Sequence, residues 1–323
     1  MEIPGRVMPK PHLIVAALAL ILICALPVKA ASQSTPTPRI PTQDGLLYGA
    51  ADGQPLTMDY YAPKSGPAPH PIAILIHGGG YHGGDSKAGS EAYVADFLAP
   101  AGYAVFSINY RLAPQYPYPY MVQDTQRAIR YLRHHAHDWN ADPNKIALIG
   151  GSAGGFLSNM AGLLDSGGEP NATDPVDRES AQVQAVVSLY AQSSFEFVPL
   201  NADVHRLLDP LISQKGEKEA IREASPITYV HKGDPPFLEI LGDQDEYIPF
   251  SEATNLQTAL HRVHVPCDII RIPGGKHGTG GWHKLPNVPD WERQMAEWLN
   301  ARLHYRGGPI GEGIRPRPPT PRS

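Results

Sequence analysis

From residue 56 to residue 303 the chain alternates short apolar runs with longer stretches in which apolar positions recur every three or four residues. Runs such as Pro71-Ile-Ala-Ile-Leu-Ile76, Lys145-Ile-Ala-Leu-Ile149 and Pro236-Phe-Leu-Glu-Ile-Leu241 are too short for helices and carry no polar alternation. That is the pattern of strands covered on both faces. Strands are predicted near 56–61, 71–76, 103–109, 146–150, 185–190, 236–241 and 267–272. Helical periodicity falls near 87–99, 121–137, 153–164, 251–263 and 289–303. Strand–helix alternation with short connections predicts an α/β domain over 42–305, with a mostly parallel central sheet and helices on both faces. Loops at the carboxyl ends of the strands are then the place to look for chemistry. Residues 192–235 interrupt the alternation and are read as a cap or pocket wall.

One such loop reads Gly150-Gly151-Ser152-Ala153-Gly154-Gly155, directly after a strand and at the start of a helical pattern. This is Gly-x-Ser-x-Gly in its required context, with glycines relieving the crowding of a sharp strand-to-helix turn. It nominates Ser152 as a nucleophile. Upstream, the strand at 71–76 runs into His77-Gly78-Gly79-Gly80-Tyr81. Glycines leave backbone N–H groups bare, and such donors stabilise the oxyanion of acyl transfer by about 3–4 kcal/mol each. Gly79, Gly80 and Ala153 are the expected donors.

A hydrolase of this turn type carries its acid and then its base later in the chain. The loop after 236–241 supplies Asp243 and Asp245, of which Asp245 is the chosen acid and Asp243 the competitor. The Gly-rich loop after 267–272 supplies His277 as general base, with His283 as the alternative. Fourteen histidines make any single one weak support, but no cluster with metal-ligand spacing accompanies them, so neither metal nor cofactor is expected.

Across residues 55 to 300 the chain resembles the α/β-hydrolase esterases, both the hormone-sensitive-lipase-like carboxylesterases and the acetyl-xylan and feruloyl carbohydrate esterases. The resemblance is carried by His77-Gly-Gly-Gly-Tyr81, Asn109-Tyr-Arg-Leu-Ala-Pro114, the Ser152 segment, Gly242-Asp-Gln-Asp-Glu-Tyr-Ile-Pro249 and Pro273-Gly-Gly-Lys-His-Gly278. It implies an α/β-hydrolase fold, a Ser152–His277–Asp245 triad and an oxyanion hole from Gly79, Gly80 and Ala153. Gly151 before the nucleophile and the Asp-x-x-Ile-Pro acid loop point to the carbohydrate-esterase branch. The expected activity is hydrolysis of short-chain esters, such as acetyl or feruloyl esters of carbohydrates. A peptidase of the same fold and a catalytically silent binding module are the alternatives. Tyr81, Tyr247 and Trp282 adjoin the catalytic segments and are expected to wall the substrate pocket, whereas Arg111 is expected to tie loops together.

The termini follow different rules. Arg6 and Lys10 precede an apolar run from Leu13 to Leu26, and Val28-Lys29-Ala30 fits a signal-peptidase site, so residues 1–30 are read as a signal peptide cleaved after Ala30. That predicts a secreted or periplasmic protein without stable membrane association. Residues 31–41 read as a linker and 306–323 as a disordered tail. The chain's formal charge is −5, and loss of Glu2, Arg6, Lys10 and Lys29 with the leader takes it to −7, which argues against nucleic acid as a partner. The expected partner is the ester substrate itself.

Overall fold

A computed structural model describes residues 40–308, apart from 88–91, 165, 166, 197 and 199. The predicted signal peptide, almost all of the linker and most of the predicted tail lie outside the described residues. Of the tail, residues 306–308 are described, and Gly308 N–H donates to Ala101 O at 3.0 Å.

Eight strands form one sheet in the order β1-β2-β4-β3-β5-β6-β7-β8. They are β1 (Gln43–Ala51), β2 (Gln54–Tyr61), β3 (His70–Ile76), β4 (Ala104–Ile108), β5 (Ala141–Gly151), β6 (Ala185–Leu189), β7 (Phe237–Gly242) and β8 (Cys267–Ile272). From β4 to β8 every neighbour is parallel, while β1 and β2 are added antiparallel at one edge. The uninterrupted apolar runs have their predicted cause. In β3, Ile72, Ile74 and Ile76 enter the core on one face while Ala73 and Leu75 enter the core on the other. Both faces are dry, so no position can be polar without cost.

Helices α1 (Ala95–Leu98) and α7 (Trp291–Arg302) cover one face, and α2 (Tyr120–His134) and α3 (Ala153–Leu163) cover the other. Helix α2 buries Met121, Val122, Ala128, Ile129 and Leu132, a stripe at helical spacing. Helix α3 buries almost every residue because it runs between the sheet and the segment after β6. That segment folds into α4 (Ala202–Lys215) and α5 (Glu217–Ala224), where the alternation had given no element. Helix α6 (Ser251–Arg262) follows β7. Of the helix expected over 87–99, residues 88–91 lie outside the described residues, and the described part is regular from Ala92 to Leu98, where Ala92, Tyr93, Val94, Ala95, Phe97 and Leu98 are all buried.

Candidate active site

Ser152 stands between the end of β5 and the first residue of α3, with φ +53° and ψ −120°. A side chain at positive φ is strained, and surrounding contacts must hold it there. Its N–H donates to Leu189 O at 2.9 Å, its carbonyl accepts from Phe156 N, and glycines supply the room. A Cβ on Gly150 would stand 2.2 Å from Gly154 O, and one on Gly154 would stand 2.0 Å from Ile76 O. Neither distance is tolerable, so the turn requires glycine at both places.

His277 lies on the loop after β8, and its Nε2 is 3.0 Å from Ser152 Oγ. Its Nδ1 is 2.8 Å from Asp245 Oδ2 and 3.1 Å from Oδ1. The Asp245 side chain is fully shielded from solvent, and its Oδ1 also accepts the N–H groups of Tyr247 and Ile248, both at 2.9 Å. This fixes the carboxylate, and a fixed carboxylate orients the imidazole so that Nε2 faces the serine. The competing residues have other partners. Asp243 pairs with Arg271 and accepts Gly274 N–H at 2.7 Å, an arrangement that holds its carboxyl below the usual range chiefly through that backbone bond. His283 lies 3.2 Å from Glu292, and burial lowers its pKa.

Residues 78–84 form the facing wall. Gly79 and Gly80 have φ of +119° and +58° and turn sharply, with Gly83 N–H donating to Gly79 O at 3.0 Å. Gly78 packs so closely on the nucleophile turn that a Cβ there would stand 3.3 Å from Ser152 Cβ. The N–H groups of Gly79, Gly80 and Ala153 have no hydrogen-bond partner among the described residues, so three donors are left beside the serine. The loop is anchored at its base by His77, whose ring stacks on Tyr110 at 4.3 Å while Tyr110 Oη donates to His77 O at 2.7 Å. Arg111 is removed from this cleft. It grips Asp124 with two guanidinium nitrogens and also pairs with Asp52, a loop-tying role.

Ser152 and His277 open into a cleft of about 510 Å³. Of the three residues expected to wall it, Tyr247 does so, 59% exposed and edge-on to the His277 ring at 5.2 Å. Tyr81 borders the cleft but is buried, its hydroxyl taken by Gln192 Nε2 and its ring set edge-on to Phe156. The expectation for Trp282 needs correction. It is 1% exposed, donates Nε1–H to Lys276 O, and sits between Tyr190 and Trp291 in the core, off the cleft. Its bulk supports the His277 loop through Tyr190, whose ring meets His277 edge-on at 5.1 Å.

Sequence reasoning passed over Tyr190, Gln192, Val198, Asn201, Asp203 and Val204, all of which line the cleft. Tyr190 had a usable signal, standing directly after the carboxyl end of β6. Gln192, Val198 and Asn201 lie on the segment leading into α4 and Asp203 and Val204 in its first turn, where no motif marks them. Among the described residues no group of three His, Cys, Asp or Glu is gathered as metal ligands.

Residues 58–260 match the family described as BD-FAE. The chain is 33% identical over 241 residues to Esterase LipC of Mycobacterium tuberculosis, covering 72% of this chain and 59% of that protein. It spans between 45% and 59% of the length of three such curated relatives. Among solved structures it resembles a truncated carbohydrate esterase from gut microbiota, with a TM-score of 0.69 at 26% identity, covering 81% of this chain and 96% of that one. It also resembles the acetyl ester-xyloside bifunctional hydrolase of Caldicellulosiruptor lactoaceticus, with a TM-score of 0.71 at 25% identity, covering 81% and 97%. The fold is that of the α/β-hydrolases.

Proposed function

The chain belongs to the BD-FAE family, and on that premise we propose that it is a serine carboxylesterase acting on short-chain acyl esters of carbohydrates, acetyl esters foremost. The observation that carries the reading is the hydrogen-bonded line Ser152 Oγ–His277 Nε2 at 3.0 Å and His277 Nδ1–Asp245 at 2.8 Å, opening beside unpartnered amides. The chain's likeness to two solved structures, a carbohydrate esterase and an acetyl ester-xyloside hydrolase, favours sugar esters over other alcohols. Export rests on the first thirty residues of the sequence and belongs to the proposal.

In the proposed reaction Ser152 Oγ attacks the ester carbonyl while His277 Nε2 accepts its proton. Asp245 remains ionised and stabilises the imidazolium through Nδ1–H. The carbonyl oxygen becomes an oxyanion held by the N–H groups of Gly79, Gly80 and Ala153. Collapse breaks the bond to the alcohol oxygen, which leaves with the proton returned by His277, and the acyl group stays on Ser152. A water then gives its proton to His277 and attacks the acyl-enzyme. The second collapse releases the carboxylic acid, and the proton returns to Ser152 Oγ.

Initial rates of residues 31–323 and of its Ser152→Ala variant on p-nitrophenyl esters of increasing acyl length, and on acetylated xylan, test the reading. It expects the highest rate on acetyl esters, acetate release from xylan, and neither in the variant. A folded protein inactive on the whole panel would overturn it and favour a peptidase or a binding module.

A further inference from the structure

The proposed ester hydrolysis uses Ser152, His277, Asp245 and three amides, and leaves a charged group on the cleft wall without a role. Asp203 stands in the first turn of α4 and borders the cleft with Gly80, Asn201 and Val204. Its Oδ1 accepts from Arg206 Nη1 at 2.6 Å and from His82 Nε2 at 3.1 Å. Its Oδ2 has no partner among the described residues and lies against the glycine turn, where a Cβ on Gly80 would stand 2.7 Å away. One oxygen is therefore fixed from behind, and the other is presented beside the expected oxyanion site. His82 belongs to that same turn, its own N–H donating to Gly79 O at 3.2 Å. Asn201 uses its Oδ1 to cap α4 through Asp203 N–H and Val204 N–H, which fixes the backbone carrying the carboxylate.

A carboxylate so held can only accept, and an aliphatic acyl chain or alcohol packed against it would desolvate it without return. A hydroxyl satisfies it with a charge-assisted hydrogen bond. Tyr247, exposed on the same cleft, adds an aromatic surface for the apolar face of a sugar ring. We propose that Asp203 is the residue that selects hydroxyl-bearing esters, its Oδ2 accepting a hydrogen bond from a substrate hydroxyl. This rests on the reading of Ser152 as the esterase nucleophile. The hydroxyl has two sources, the sugar of the alcohol portion or the phenol of a feruloyl group.

The test compares kcat/KM of the wild type, Asp203→Asn, Asp203→Ala and Arg206→Ala on three substrates: an acetylated xylo-oligosaccharide, methyl ferulate, and p-nitrophenyl acetate, which has no hydroxyl. A lost hydrogen bond to a charged group corresponds to about 10-fold or more in kcat/KM. The expected result is a fall of about that size in the ratio of oligosaccharide to p-nitrophenyl acetate activity for both Asp203 variants, arising in KM. A smaller fall in the same direction is expected for Arg206→Ala, which frees the carboxylate to turn. A fall in the methyl ferulate ratio alone would assign the hydroxyl to the phenol. Ratios within about twofold of wild type for both hydroxyl-bearing substrates, with all rates lowered together, would mean that Asp203 merely supports the glycine turn, and would overturn the proposal. Wild-type inactivity on p-nitrophenyl acetate itself would instead remove the esterase reading, and the proposal with it.

Discussion

Asp245 presents Oδ2 to His277 Nδ1 at 2.8 Å while its Oδ1 accepts two backbone N–H groups of its own loop, so the carboxylate cannot turn away from the imidazole. Two residues earlier, Asp243 is turned the other way, onto Arg271 and Gly274. The same short loop thus carries one carboxylate for the base and one that stitches the β7 and β8 loops together.

This division separates two substitutions that look alike in sequence. Asp245→Asn is expected to lower kcat on p-nitrophenyl acetate by about 10⁴-fold, because the amide favours the wrong imidazole tautomer. Asp243→Asn is expected to lower kcat by less than about tenfold and to cost about 1 kcal/mol of stability through its weakened contacts with Gly274 and Arg271. Steady-state rates and urea midpoints of the two variants decide it, and a reversed order would make Asp243 the acid.

The glycine turn makes a second, steric prediction. At Gly80, φ is +58° and an added Cβ would press on Asp203 Oδ2 at 2.7 Å. Gly80→Ala is therefore expected to displace the turn and to lower kcat by about 10²-fold or more, the scale of one lost oxyanion donor. KM should change far less. Wild-type kcat in Gly80→Ala would show that this amide does not meet the oxyanion.

Stability should respond to pH through a carboxyl that does not line the cleft. Glu239 on β7 is buried, and desolvation raises its pKa from 4.5 to about 8, with Glu252 adding repulsion. The folded protein thus holds a proton that the unfolded chain releases above about 4.5. Stability from this group is complete below that pH and is lost as pH rises through about 8. Glu292, raised to about 7 by burial, acts in the same direction. Urea midpoints are expected to fall between pH 5 and pH 8.5, and Glu239→Gln, which has nothing to release, should fall less steeply. Parallel profiles for the two proteins would rule out Glu239 as the source.

Most of the legible strands share one physical property, that burial on both faces leaves no choice of residue, while edge strand β8 buries only Cys267 and Ile272. Seven of the eight strands were predicted from their apolar runs, and the nucleophile, base and acid loops all follow such strands. Strand β1 was not, because it lies at the sheet edge, buries only Tyr48, and shifts register twice along β2, so it has neither an apolar run nor an alternation. Helix α4 does carry a stripe at helical spacing, Val204, Leu207, Leu208 and Leu211, but Pro210 inside it reads as a helix breaker and hides it. Trp282 shows the opposite error, since adjacency to His277 in sequence said nothing of its direction, and an indole beside Tyr190 and Trp291 turns inward. Asp203 was invisible because its meaning depends on a helix folding back beside Gly80, more than a hundred residues away in the chain.

Activation of Ser152 as a nucleophile is read out by treating the folded protein with a p-nitrophenyl alkylphosphonate, an ester mimic that traps such serines, and mapping the added mass by peptide analysis. One adduct per chain is expected, located on Ser152, absent in Ser152→Ala and much slower to form in His277→Gln. An adduct on another residue, or none in a protein that retains its fold, would contradict it.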